Sequence, residues 1–364
     1  MKSIVHVFVA LVIVLTLAAS IGTSSRTRPT AAASVPPIPQ VENTATNLLI
    51  DGNMEMQPYP WYYPNHYVAP YWKRLWYYYS VMPEYDDTRT ARVHYEGLHA
   101  QVYFKWGPAY QAGIYQVVTG LTQCTPYELS AYGRNHSVEG ALPHARVGLD
   151  PEGTQLTPGD DGGFFSFPSY MAWSAEQTQL FVWEKLTVQA EPIGDRLTAI
   201  LYASPQPPSG PQQPYYDTYW DAAELVQTTF PNNRLPAPST WSPSDFIYAV
   251  QTTTSTDSLT IQWKTQSPAS TQVRYEIVPY QAPISSTILI SLTYRTYLPV
   301  VAKSPNPSTF TRYTELNTTP IIDHQAVIGG IQAGDTVIFV PLSRRPTSSG
   351  CTTETYTPVI VKFR

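Results

Sequence analysis

The sequence predicts an all-β protein made of two sandwiches of unequal size. Three observations carry that expectation. Short runs of β-branched and aromatic residues recur along most of the chain, separated by clusters of Gly, Pro, Asn and Asp. No segment carries a convincing helical period. The composition is 13% charged, with 35 Pro and 27 Tyr among 364 residues, whereas an ordinary globular domain is about a quarter charged. The formal net charge is -5, and no basic run follows the N-terminus, so nothing draws nucleic acid electrostatically.

The first element is a targeting segment. Lys2 precedes the apolar stretch "IVHVFVALVIVLTLAASIG" (Ile4–Gly22), which ends in small residues. Residues 1–22 therefore read as a secretory signal peptide, with an uncleaved anchor helix as the alternative. No later stretch is apolar and long enough to span a membrane, so the expectation after signal removal is a secreted, extracellular protein. Residues 23–46 are Ser, Thr, Ala and Pro without periodicity and form a flexible linker.

Residues 47–228 hold the larger strand-rich block. Its expected strands are "ARVHYE", "GIYQVVTGL", "YELSAYGR", "HARVGLD", "LFVWEKLTVQAE", "RLTAILYAS" and "TYWDAAELV". A Pro-rich linker follows over 229–245. Residues 246–364 form a smaller sandwich, with strands at "SLTIQWKT", "TQVRYEIV" and "AVIGGIQAGDTVIFVPLS" and an insertion at about 279–312. One internal repeat crosses this region. "YLPVVAK" (Tyr297–Lys303) returns as "YTPVIVK" (Tyr356–Lys362), which reads as two edge strands because Pro blocks a central ladder position. A surface-attachment tag is the alternative. The chain has two cysteines, Cys124 and Cys351. Outside the cell they either pair and clamp the two domains together, or remain two thiols.

The larger block resembles the calcium-containing jelly-roll carbohydrate-binding modules of the xylan- and glucan-binding group. The resemblance rests on "NLLIDGNME" (Asn47–Glu55) as the opening, "GIYQVVTGLTQCTPYELSAYGR" (Gly113–Arg134) as a strand–turn–strand unit and "YYDTYWDAAELV" (Tyr215–Val226) as the closing strand. It implies a structural Ca2+ near the first and last strands, with Glu55 and Asp221 as side-chain ligands. Ala222 replaces the second Asp of the closing motif. The smaller block resembles a divergent fibronectin type III domain, with Trp263 at the buried strand-B position and Tyr275 packing inward. Val337 stands where that family keeps a corner Tyr. Both resemblances point to secreted multidomain bacterial proteins.

A run of rings from Tyr59 to Tyr85 poses the functional question. Tyr and Trp make up 12 of its 27 residues. Most rings in a sandwich serve the core, and Trp183 and Trp220 read that way. The run nevertheless lacks apolar–polar alternation, and neighbouring rings in an extended chain face opposite ways. Some must therefore face out. A pyranose presents an apolar C–H face that stacks on such rings. Trp72 and Trp76 flank Lys73 and Arg74, Trp106 and Tyr110 lie in a second loop, and Trp173 lies in a third. These five residues are the expected aromatic platform for a polysaccharide or cell-surface glycan. No H-E-x-x-H, G-x-S-x-G or phosphate-loop motif is present, and no catalytic residue is assigned. The leading expectation is a non-catalytic carbohydrate-binding adhesion protein. Two other readings stay open: a structural surface protein that self-associates through edge strands, and a divergent glycoside hydrolase.

Overall fold

A computed structural model of the chain describes residues 46–55, 67–87, 93–138, 141–157, 163–164, 166–208, 215–238, 244–279, 310–348 and 350–363. The signal segment, nearly all of the first linker, the Tyr59–His66 part of the ring run and the "YLPVVAK" copy lie outside the described residues.

The first sandwich contains β1 (Lys73–Tyr77), β2 (Glu84–Asp87), β3 (Gln101–Trp106), β4 (Ala112–Thr119), β5 (Tyr127–Ser137), β6 (Ala145–Asp150), β7 (Gly163–Phe164), β8 (Ala172–Trp173), β9 (Glu184–Ala190), β10 (Arg196–Ala203) and β11 (Tyr215–Gln227). One sheet runs β7-β1-β4-β10-β6-β8 and the other β2-β3-β11-β5-β9. Consecutive strands repeatedly cross from one sheet to the other, which is the jelly-roll connectivity. Every second side chain of β4, β5, β10 and β11 points between the sheets. Trp220, Tyr103, Tyr85, Tyr110, Ile114 and Leu129 fill that space.

The buried rings keep their polar ends bonded, as burial demands. The Tyr85 hydroxyl donates to the Leu75 carbonyl at 2.8 Å, and the Tyr103 hydroxyl to the Leu201 carbonyl at 3.2 Å. The Trp220 indole N–H donates to the Tyr103 oxygen. A second apolar layer covers the outside of the six-stranded sheet, where Leu75, Tyr115, Phe164, Met171, Ile200 and Tyr202 pack together.

The opening and closing motifs meet. Asn47 Oδ1 accepts the amides of Leu49 and Leu225, both at 3.0 Å, and its Nδ2 donates to the Ala223 carbonyl at 2.9 Å. Gly52 lies directly against β11, and a Cβ there would sit 2.1 Å from the Ala223 oxygen. Two expected strands need correction. "ARVHYE" runs into a loop, since the described residues from Val93 to Ala100 form bends rather than ladder. "LFVWEKLTVQAE" becomes strand only from Glu184, because Phe181 adopts φ +66° and turns the chain.

The second sandwich contains β12 (Ile247–Thr254), β13 (Ser258–Val278), β14 (Arg312–Tyr313), β15 (Asn317–Gly329), β16 (Thr336–Thr347), β17 (Gly350–Thr355) and β18 (Val359–Lys362). The sequence divides 258–278 into two strands, yet it forms one. The first part of β13 pairs with β12 and β15, and Gln272–Val278 pairs with β16. Pro268 falls where the β15 register shifts, between Lys264 and Ala269, so its missing N–H breaks no ladder bond. Trp263 is buried and donates its indole N–H to Ser343 Oγ at 3.2 Å. It packs with Phe339, Ile261, Val337 and Phe363. The "YTPVIVK" copy supplies β18, which pairs with β16 and has no second neighbour among the described residues.

The Pro-rich 229–245 stretch joins the sandwiches without standing clear of them. Phe230 and Leu235 are buried against Phe310, Val340 and Leu342. The Leu235 amide donates to Gln272 Oε1 at 2.9 Å. A disulfide between Cys124 and Cys351, with Cα atoms 5.5 Å apart, ties the first sandwich to β17. Beside it, Arg344 donates twice to Glu191, at 2.6 and 2.9 Å.

Candidate functional site

The five expected platform rings do not share a surface. Trp72 is buried, at 6% exposure, and its indole N–H donates to the Asp51 carbonyl at 3.2 Å. Tyr110 is buried at 1% and bonds Tyr103 and Thr218 inside the core. Both are therefore corrections: a short apolar loop segment folded inward places large rings in the core, where their area counts most. Trp76 is half-buried on β1 and stacks on Tyr78 with centroids 5.5 Å apart. Trp173 lies on β8 against Gly148, with the Arg146 guanidinium 4.1 Å above its ring. That arrangement seals the outer apolar layer. Trp183, expected in the core, is half-buried and meets Tyr95 edge-on at 5.9 Å.

Trp106 is different. It ends β3 and keeps 71% of its surface in solvent. Tyr103 points into the core, so Phe104 and Trp106 face alternately outward with Trp106 at the open end. The register places Tyr215 of β11 opposite Trp106, with ring centroids 5.4 Å apart. Tyr215 meets His136 of β5 at 5.0 Å, and His136 meets Phe181 at 4.9 Å. A continuous row of four rings thus crosses β3, β11 and β5 on the outer face of the five-stranded sheet.

Polar groups border the row. On β11, Tyr216 and Trp220 point inward, so Tyr215, Asp217 and Tyr219 point out. Asp217 lies opposite His136, and Tyr219 opposite Arg134. Asp217 Oδ2 accepts from the Tyr219 hydroxyl at 3.2 Å and lies 3.3 Å from His136 Nδ1. Burial raises the Asp217 carboxyl above the usual carboxylate range, against the opposing pull of its His136 and Tyr219 hydrogen bonds. Burial, reinforced by Asp217, keeps the Tyr219 phenol protonated and able to donate. The Tyr215 hydroxyl lies 3.1 Å from His136 Nε2. Arg134 Nε is buried with no acceptor among the described residues. The face combines flat apolar rings with donors and acceptors that are fixed by one another.

Of the four rings in the row, the sequence singles out Trp106 and not Tyr215, His136 or Phe181. The signal lies in "YYDT", where Tyr215 and Asp217 alternate with the buried Tyr216 and Thr218.

The expected calcium ligands converge on a loop. Asp221 Oδ2 accepts the amides of Tyr95 and Glu96 at 2.8 and 3.1 Å, and Oδ1 accepts that of Ala222 at 2.6 Å. Glu55 Oε1 accepts the amides of Leu98 and His99 at 2.7 and 2.9 Å. Gly97, at φ +63°, packs over Glu55 so closely that a Cβ would lie 2.0 Å from Oε1. A calcium site needs oxygens aimed at the ion. Here both Asp221 oxygens and one Glu55 oxygen are aimed at peptide N–H groups, so the donor set does not fit the ion. The carboxylates instead anchor the 95–99 loop. Burial raises the Asp221 carboxyl to about 6, with its amide bonds opposing. Glu191 also lies beside Cys124 and Cys351, but those sulfurs are bonded to each other and Glu191 is held by Arg344.

No family model matches the chain, and no curated protein matches it. Solved structures match weakly. A CBM61 carbohydrate-binding module in complex with beta-1,4-galactotriose is 11% identical with a TM-score of 0.31, covering 50% of this chain and 100% of its own. The tandem CBM22 modules from Paenibacillus barcinonensis are 11% identical with a TM-score of 0.32, covering 86% and 90%. A beta-1,2-glucanase from Parabacteroides distasonis is 9% identical with a TM-score of 0.25, covering 80% of this chain and 37% of its own. Likeness at this level assigns no ligand to the chain.

Proposed function

We propose that the chain is an exported, non-catalytic carbohydrate-binding protein whose polysaccharide lies across the outer face of β3, β11 and β5. One observation carries this reading: Trp106, 71% exposed, begins a row of rings bordered by hydrogen-bonding side chains. The rings offer stacking surface to pyranose C–H faces. Asp217, His136 and Arg134 offer acceptors and donors to hydroxyls, with the buried Tyr219 holding Asp217 in place. Aromatic contacts with one polar end suit such an amphipathic ligand.

The test is glycan-array binding by the full chain, followed by titration with the best polysaccharide. Trp106→Ala is expected to weaken binding at least roughly tenfold, the loss typical of a dominant ring. Tyr215→Ala should act in the same direction. The buried Trp72 is unsuitable as a probe, because its removal damages the core. Wild-type affinity in both face variants would sink the assignment of the face. A second reading, self-association, is favoured by β18, an edge strand that leaves Ile360 48% exposed. Concentration-dependent sedimentation of the full chain, abolished by Ile360→Lys, would support it.

A further inference from the structure

A cleft of about 440 Å3 opens where the two sandwiches meet, beside the disulfide. Its size falls within the range of small-ligand sites, which runs from roughly 300 to 1,000 Å3. Glu152, Tyr170 and Glu191 line it from the first sandwich, and Arg344, Ser348 and Cys351 from the second.

The polar groups are built in. Asp150 is fully buried. Its Oδ1 accepts the Glu152 amide and its Oδ2 the Thr154 amide, each at 2.9 Å. Gly153 at φ +63° completes that turn. The turn presents Glu152, whose Oε2 accepts the Tyr170 hydroxyl at 2.6 Å. Its Oε1 has no donor among the described residues and can accept from a ligand. Tyr170 is 44% exposed, so its ring is available for stacking. Across the cleft, Arg344 gives two N–H groups to Glu191 and one to Thr353 Oγ1 at 2.9 Å. A guanidinium has five N–H donors, so two have no acceptor among the described residues. The Arg344–Glu191 pair cancels its own charge, which leaves Glu152 as the cleft's uncompensated carboxylate and disfavours an anion. A free acceptor, free donors and an aromatic wall, without cationic excess, match a neutral polyol. The Cys124–Cys351 bond fixes the two walls relative to each other, so little ordering is needed on binding.

We propose that this cleft is a second saccharide subsite, separate from the sheet face, that takes a single neutral sugar residue between Tyr170, Glu152 and Arg344. It rests on the carbohydrate-binding reading given above.

The experiment is saturation-transfer NMR on the full, oxidised chain with the methyl β-glycosides of glucose, galactose, mannose and xylose, beside titration with the polysaccharide selected on the array. Wild type should give transfer from at least one glycoside. Glu152→Gln should lower its affinity roughly tenfold or more, the effect of losing a hydrogen bond to a charged group. Ser348→Phe, at an exposed position on the opposite wall, should block it without touching the hydrogen bonds. Trp106→Ala should leave it unchanged. Monosaccharide binding that persists in both cleft variants, or that disappears only in Trp106→Ala, overturns the subsite. Polysaccharide binding without transfer from any glycoside overturns the subsite and leaves the sheet face standing. Absence of both overturns both.

Discussion

Why one tryptophan stays in water while another is swallowed is decided by pleat position. Trp106 ends a strand on the outward side, beyond the last inward ring of β3, whereas Trp72 immediately precedes β1 and folds back over Asp51. The same logic governs His324. It is buried beside Trp263, with rings stacked at 5.2 Å, and lies between two threonine hydroxyls, Thr265 and Thr271. Burial pulls its pKa down from 6.5 to about 4, with only Asp323 opposing. The neutral imidazole is therefore the folded form. This residue's contribution to stability is full above the unfolded pKa and is lost as pH falls from about 6.5 to about 4. Chemical denaturation at several pH values should show that decline in wild type and a shallower one in His324→Gln. A parallel pH dependence in the two proteins would remove His324 as the cause. Which rings were exposed was not legible in the sequence. Tyr and Trp are equally suited to a core and to a binding face, and only strand register separates the two. Composition argues against nucleic acid as a partner, but composition does not set register.

At the scale of elements, the strands most readily foreseen were those with clean alternation and Gly or Pro at their ends, such as β4, β5, β6 and β10. "ARVHYE" alternates equally well, yet its described part runs into a loop because Glu55 and Asp221 capture four amides between Tyr95 and His99, two of them within the run. Those carboxylates lie far away in sequence, so local pattern could not reveal the competition. The resemblance placed both residues beside an ion near the first and last strands; in the structure Asp221 lies on β11, Glu55 precedes β1, and both hold peptide N–H groups of the 95–99 loop. Adding calcium or a chelator is accordingly expected to leave the melting temperature of the full chain unchanged. A rise of several degrees with calcium would show that the loop rearranges to bind the ion. The opening segment gives a sharper test of the same region. A side chain at Gly52 meets the backbone of Ala223, which is tied to Gly52 by its amide donating to the Gly52 carbonyl at 2.8 Å. Gly52→Ala should cost about 1–3 kcal/mol, the usual penalty of overpacking, read as a lower denaturation midpoint. An unchanged midpoint would mean that the 47–55 segment does not dock on β11 as described.

The whole molecule is organised by one covalent link between parts of the sequence 227 residues apart. Composition and the expectation of export left the pairing of Cys124 and Cys351 open, because spacing alone cannot say whether two domains turn the relevant edges toward each other. In the structure the disulfide, the Arg344–Glu191 pair and the Phe230 ring beneath Arg344 lie together at the junction. Joining distant points removes much freedom from the unfolded chain, so the bond should stabilise strongly, by about 2–5 kcal/mol. It also couples the sandwiches, because with Cys124 and Cys351 bonded the Arg344–Glu191 pair and the buried Phe230 and Leu235 are held in place at the junction and must be given up if either sandwich unfolds alone. Calorimetry of the oxidised chain should therefore show a single transition. The Cys124→Ser, Cys351→Ser double variant should melt lower and in two steps, since the Arg344–Glu191 pair alone is too weak to enforce cooperativity. That variant should also lose affinity for single sugar residues in the junction cleft while keeping polysaccharide on the sheet face, which lies wholly within the first sandwich. One transition at an unchanged temperature would mean that noncovalent contacts at the junction are sufficient and that the disulfide is incidental to the assembly.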